Sequence, residues 1–211
     1  MRIGILGSGL MGGKLGTIFA RAGHDVTFSY ARTEAKLKKL AREAKASYGT
    51  PRQAAEDADV LLLAVHWSRF GDVLGQAGDL SGKVIISCSL PMTVDDSALE
   101  IGLTTSGAEE LAKRVPGAKV VLAFNTVPSE VLFDVFKDRR KRSRPSLMYC
   151  GDDKKAKRVA ATLIRDAGFD PVDAGPLSNA RYSEPFTLLI GYLAYEAKGG
   201  PRLAYRLERF G

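Results

Sequence analysis

Short runs of valine, isoleucine and leucine alternate along this chain with stretches in which apolar residues recur every three or four positions. The first pattern predicts buried strands and the second predicts helices packed on them. Residues 2–6 (RIGIL) read as a first strand. A helix follows over 10–22, with Leu15, Ile18 and Phe19 on one face, and Gly23 ends it. A second strand is expected over 25–30, and a charged surface helix over 34–45 with Leu37, Leu40 and Ala41 turned inward. Residues 46–48 read as a short third strand, and 51–57 as a short helix begun by Pro51. Strands over 59–65, 83–87 and 119–124 are separated by helices over 70–77 and 106–114. Short strands at 146–150 and 171–173 flank a helix over 154–167. The last clear element is a largely apolar helix over 182–198, followed by a Gly-Gly-Pro break and a basic amphipathic tail over 202–210. Such alternation implies an α/β fold, doubly wound around a mainly parallel sheet, with a small C-terminal helical part.

The turn after the first strand reads Gly7-Ser8-Gly9-Leu10-Met11-Gly12. This is G-x-G-x-x-G placed where a Rossmann-type dinucleotide site needs it: strand before, helix after, second strand beyond. Gly7 permits the tight turn, Gly9 lets the backbone approach a pyrophosphate, and Gly12 lets the helix pack closely. The amides of Leu10 and Met11 point from the helix N-terminus, where the dipole favours negative charge, and Ser8 adds a hydroxyl. The second strand ends Ser29-Tyr30-Ala31-Arg32-Thr33, with no carboxylate at its tip to receive ribose hydroxyls. Ser29, Arg32, Thr33 and Lys36 gather hydroxyls and positive charge instead, which suits a 2′-phosphate. The reading is therefore NADP(H) rather than NAD(H), held by a dinucleotide-binding domain over residues 1–176. Residues 177–211 form a C-terminal segment expected to close the cleft.

Composition narrows the picture modestly. The formal net charge of +7 favours anionic partners. The basic run Arg139–Arg144 carries no interleaved aromatic residues, so it reads as a solvated loop, or as a charge that attracts an anionic cofactor, before a nucleic-acid surface. No apolar run is long enough to cross a bilayer and no secretory signal is evident, so a cytoplasmic protein with no membrane partner is expected. Cys88 and Cys150 read as reduced thiols, and no metal-ligand spacing appears. The apolar residues of the last helix, among them Phe186, Leu189, Tyr192 and Tyr195, suggest a homodimer formed through it.

Several further stretches resemble the NADP-dependent reductases that use coenzyme F-420, a deazaflavin. They are Ala64-Val65-His66-Trp67, Gly107-Ala108-Glu109-Glu110-Leu111 and Val120 to Pro128. With them go Tyr149 to Asp153, and Asp173-Ala174-Gly175-Pro176-Leu177-Ser178-Asn179-Ala180-Arg181 followed by Glu184. The resemblance implies a homodimer in which hydride passes directly between the nicotinamide and the deazaflavin, held face to face. It implies a cofactor cleft reaching Val65, His66, Trp67 and Asn125. It also implies an acceptor pocket lined by Trp67, Ser89, Leu90, Pro91, Thr126, Val127, Pro128, Ser178, Asn179 and Arg181. Related sequences commonly carry Pro at the place of His66.

Hydride transfer between flat rings asks for stacking and exclusion of water rather than for acid–base groups. No Ser-His-Asp set or HExxH motif is present. His24 reads as structural. His66, at a strand's carboxyl end, is the one catalytic candidate: a hydrogen bond to cofactor or acceptor, a proton donor, or a packed bystander. Trp67 walls a pocket or packs in the core. Asn125 and Thr126 bind the nicotinamide carboxamide or hold their loop. Ser178 and Asn179 contact the acceptor or cap the last helix, with Arg181 then paired to Glu184. The acceptor is F-420 or another small molecule such as a flavin, quinone, ferric chelate or imine; a non-catalytic NADP-binding sensor is the alternative of another class.

Overall fold

A computed structural model describes residues 1–210. Eight strands, β1 (Arg2–Leu6), β2 (Asp25–Ser29), β3 (Ser47–Tyr48), β4 (Val60–Leu63), β5 (Val84–Ser87), β6 (Lys119–Ala123), β7 (Ser146–Gly151) and β8 (Asp170–Asp173), form one sheet. Their order is β3-β2-β1-β4-β5-β6-β7-β8. Every neighbouring pair is parallel except β6 and β7, where Leu122 faces Cys150. The chain leaves β1 toward β2 on one side and reaches β4 on the other, so the end of β1 is a topological switch point, where ligands collect in such sheets.

Strand residues alternate between two buried layers. Ile3, Ile5, Leu62, Val121 and Ala123 face helices α1 (Leu10–Arg21), α2 (Glu34–Ala44), α6 (Leu132–Lys137) and α7 (Lys154–Asp166). Leu6, Leu61, Leu63, Val120 and Leu122 face the layer containing α3 (Pro51–Glu56), α4 (Phe70–Ala77) and α5 (Gly107–Arg114). Helix α8 (Ala180–Tyr195) begins in this second layer, where Leu177 and Ala180 are buried. Local caps set the boundaries: Thr50 and Gln53 form a reciprocal capping box with Pro51 at the first position of α3. Asp153 caps α7 through the Ala156 N–H at 2.8 Å.

The structure departs from the sequence-based expectation in three places. Residues 129–137 form a 3-10 turn and α6 where no element was expected; Val131, Leu132, Val135 and Phe136 bury one face. The final helix begins and ends earlier than expected, at Ala180 and Tyr195. The tail over 202–210 adopts no regular structure. It lies along the start of β7: the Ser146 N–H donates to the Tyr205 carbonyl at 2.9 Å, and Leu207 N–H to the Ser146 hydroxyl at 3.0 Å. The tail thus takes the lane beyond the carboxyl end of β6. No described helix is long and apolar enough to cross a membrane.

Cys88 and Cys150 are buried and unpaired, and burial pushes each thiol up to about 12. The basic run is an exposed turn between α6 and β7, in which Arg139 folds back over the Phe136 ring at 4.2 Å.

Candidate functional site

The glycine turn is shaped by close approach. Gly7 has φ +113, and a Cβ there would lie 2.4 Å from the Ala64 carbonyl oxygen. A Cβ on Gly12 would lie 1.9 Å from the Gly7 carbonyl oxygen. Only hydrogen fits at either position. At Gly9, by contrast, nothing lies within 4 Å of a built Cβ, so this face of the turn is open. Helix α1 starts at Leu10 with no side-chain cap and no acidic residue in its first turn. Its leading amides therefore face open space with the positive end of the helix dipole behind them.

A groove of about 1150 Å³ runs from this turn over the carboxyl ends of β1, β2, β3 and β4. Of the residues expected at the cofactor, Gly7, Ser8, Gly9, Leu10, Arg32, Lys36, Val65 and His66 line it. Arg32 and Lys36 are exposed and make no ion pair among the described residues. Glu34, on the same rim, is paired with Lys38 at 3.0 Å. An uncapped helix start, an open glycine and two unpaired cations suit the pyrophosphate and 2′-phosphate of NADP(H).

Other expected residues take different places. Ser29 is fully buried, and its hydroxyl donates to the Ile5 carbonyl at 2.7 Å, a bond that ties β2 to β1 and turns the group away from the groove. Ser8 gives its hydroxyl to the Ser29 carbonyl at 2.9 Å and its N–H to the Tyr30 carbonyl at 3.0 Å. Thr33 caps α2, accepting from the Lys36 N–H. Met11 and Gly12 sit under the turn, against the core. Trp67 does not line the groove. It packs on Phe70, with ring centroids 4.8 Å apart, and the Arg114 guanidinium lies 4.7 Å over its ring.

His66 lines the groove with both nitrogens engaged. Its Nδ1 accepts from the Ser68 N–H at 3.2 Å, capping the 3-10 turn Trp67–Arg69. That leaves the proton on Nε2, which lies 3.2 Å from the Thr93 carbonyl and 3.3 Å from Asp96. The imidazole thus clasps the loop after β5 to the end of β4.

The residues expected in an acceptor pocket are engaged in packing and in joints of the fold, and none of them lines the groove. Pro91 is buried beneath the start of α5, Leu90 is half-buried beside it, and the Ser89 hydroxyl donates to the Leu63 carbonyl. Val127 and Pro128 are buried, Val127 in the core. The Thr126 hydroxyl shares a 2.8 Å hydrogen bond with Tyr205. Ser178 is half-buried, and the Asn179 amide donates to the Ala174 carbonyl at 2.5 Å without capping α8. Arg181 pairs with Glu109, not with Glu184, through bonds of 2.6 and 2.9 Å. The fork holds the Glu109 carboxyl below the usual range. Glu184 is fully buried and accepts the Gly107 and Ala108 N–H groups at 2.9 and 3.0 Å, so α8 caps α5. Burial pushes its carboxyl up to about 7, against the pull of those two amides.

Asn125 is 6% exposed at the end of β6, where Phe124 turns the chain with φ +64. Its amide nitrogen donates to the Thr187 hydroxyl at 2.9 Å and to the Ser183 hydroxyl at 3.1 Å. Thr187 gives its own proton to the Ser183 carbonyl, which fixes the orientation of the amide. The Asn125 Oδ1 is buried and accepts no hydrogen bond from the described residues, and Asn125 does not line the groove, contrary to the expectation that it reaches the cofactor.

Residues that sequence reasoning missed are Tyr30, Asp72 and Gln76 on the groove, and Glu109 and Tyr205 at the joints. The spacing of Asp72 and Gln76, one helical turn apart in α4, was the available signal.

Residues 2–91 match the family described as "NADP oxidoreductase coenzyme F420-dependent". Metalloreductase STEAP3 of Rattus norvegicus is 27% identical over 187 residues, covering 89% of this chain. Metalloreductase STEAP2 of Homo sapiens is 24% identical over 186 residues, covering 88% of this chain. The chain spans 36% of the length of these curated relatives. Among solved structures, one from Arthrobacter sp. FB24, described as a candidate F-420-dependent NADP reductase, superposes with a TM-score of 0.87. It is 24% identical, with 99% of this chain and 100% of that one covered. A reductive aminase from Aspergillus terreus, solved with NADPH and ethyl levulinate, gives a TM-score of 0.67 at 18% identity, with 90% of this chain and 61% of that one covered. Over residues 2–91 this chain resembles the family described as NADP oxidoreductase coenzyme F420-dependent, and it shares its fold with the Arthrobacter structure over nearly the whole length of both.

Proposed function

We propose that the protein is an NADP(H)-dependent oxidoreductase that moves hydride directly between the nicotinamide and a second small molecule. The observation that carries the reading is the groove: an uncapped helix start and an open glycine lie beside Arg32 and Lys36, at the switch point of the sheet. Bound there, NADP(H) supplies or accepts the hydride. The chain's own residues bind and orient. The leading amides of α1 hold the pyrophosphate, and Arg32 and Lys36 hold the 2′-phosphate. His66 positions the loop after β5 rather than moving a proton.

Coenzyme F-420 is the acceptor favoured by the family match. The metalloreductase relatives favour a second reading, a ferric chelate as acceptor. We further propose a homodimer formed through the outward face of α8, where Tyr182, Leu189, Tyr192 and Tyr195 are exposed, and a cytoplasmic place of action, where the cofactor is supplied.

The test begins with binding. NADPH is expected to bind at least tenfold more tightly than NADH, and Arg32→Glu to erase that preference. Equal affinities in the wild type refute the NADP reading. Loss of nicotinamide absorbance is then followed with F-420, ferric chelates, flavins and quinones. Turnover with none of them, while NADPH still binds, overturns the oxidoreductase assignment in favour of a sensor. Light scattering that shows a monomer at micromolar concentration overturns the dimer.

A further inference from the structure

One wall of the groove has no role in the reading above. Tyr30 stands at the end of β2, and Asp72 and Gln76 stand on α4. The Tyr30 hydroxyl donates to Asp72 Oδ2 at 2.5 Å, and the Gln76 amide donates to Asp72 Oδ1 at 2.9 Å. The first bond joins the two elements that follow the strands on either side of β1, so it spans the switch point itself. Tyr30 holds φ +55, a conformation that bulky residues rarely adopt and that is retained where the surroundings demand it. Its carbonyl receives the Ser8 N–H, so the same residue braces the glycine turn. The Tyr30 hydroxyl, the Gln76 amide and the nearby Arg69 hold the Asp72 carboxyl below its usual range, and the side chain stays an acceptor at neutral pH.

We propose that Tyr30, Asp72 and Gln76 form a base-reading subsite that selects the adenine ring of the dinucleotide. The proposal rests on the NADP(H) reading. With the pyrophosphate at α1 and the 2′-phosphate at Arg32 and Lys36, the base on that same ribose falls to the remaining walls of the groove. Adenine presents an amino donor next to a ring-nitrogen acceptor. Asp72 presents oxygens with lone pairs to spare, each already fixed by one donor, and Gln76 presents an amide donor beside them. The match is acceptor to donor and donor to acceptor along the edge of adenine that carries the amino group and N1. Hypoxanthine reverses both groups: a carbonyl then faces the carboxylate, and a ring N–H faces the amide. Tyr30 is a positioning residue here, acting through the carboxylate that its hydroxyl orients.

The test measures the affinity of the full-length chain for NADPH and for its hypoxanthine analogue by nicotinamide fluorescence. The wild type is expected to prefer NADPH about tenfold, the scale of one base-edge hydrogen-bond pair. Asp72→Asn offers a donor as well as an acceptor and should bring the ratio close to one. Tyr30→Phe removes only the orienting hydroxyl and should lower the ratio part of the way. A link that merely supported the fold would weaken both dinucleotides alike. A wild-type ratio near one, or an unchanged ratio in Asp72→Asn, overturns the proposal while leaving the cofactor reading intact. Binding of neither dinucleotide overturns the cofactor reading and the proposal with it.

Discussion

The buried carboxylate of Glu184 makes the stability of this fold depend on pH in an unusual direction. A carboxyl that ordinarily titrates at 4.5 is pushed up to about 7 by burial, although both oxygens accept amides of α5. Between those values the folded chain keeps a proton that the unfolded chain has released. Stability therefore falls as pH rises through this window, and above it the folded state carries the cost of a buried charge. A shift of this size corresponds to about 3 kcal/mol at 1.36 kcal/mol per unit. Glu184→Gln keeps one acceptor oxygen but sets its NH2 against the second amide, a loss of about 1–3 kcal/mol that does not depend on pH. Measured against the wild type, the stability of the variant should therefore rise by up to about 3 kcal/mol between about pH 4.5 and about pH 8. Urea unfolding can follow Trp67, the sole tryptophan, which is tied to α5 through Arg114. Taking the difference between the two proteins at each pH cancels all other titrating groups. Parallel stability curves across the window would show that burial does not govern Glu184.

Three further perturbations test the joints of the site. Gly12→Ala puts a methyl 1.9 Å from the Gly7 carbonyl oxygen. It should cost about 2–3 kcal/mol and abolish NADPH binding, read by thermal unfolding and titration. Tyr205→Phe removes the hydroxyl shared by Thr126 and the Met148 N–H; a loss of about 1 kcal/mol and faster amide exchange at Met148 are expected. Arg181→Ala breaks a fork in which Arg181 is 35% exposed, so after solvent screening the loss should be about 1 kcal/mol.

Much of the fold was legible because it rests on local patterns. The strand cores of β1, β4 and β6 are continuous apolar runs, and their residues alternate between the two layers as period-two geometry requires. The glycine turn was equally plain, since Gly7 and Gly12 answer to contacts within one strand-turn-helix unit and its partner β4. Helix α6 was missed although Val131, Leu132, Val135 and Phe136 carry its period, because the element is short and begins as a 3-10 turn.

The site divided along the same line. Arg32 and Lys36 could be assigned from their place after β2, because position along the chain puts them at the strand's carboxyl end. Which way Ser29 or Trp67 would turn could not be assigned so. Ser29 found a carbonyl on β1 and Trp67 found Phe70 and Arg114, partners supplied by other segments. The stretch from Asp173 to Glu184 was conspicuous in the sequence but not interpretable there. Its charges are satisfied by α5, more than seventy residues away: Arg181 by Glu109, and Glu184 by two backbone amides. Periodicity and turn chemistry act between neighbours in the chain, so composition and spacing reveal strands, helices and the glycine turn. Burial and hydrogen-bond pairing act between neighbours in space, so the roles of Tyr30, Asn125 and Glu184 appeared only once the folded chain had brought their partners to them.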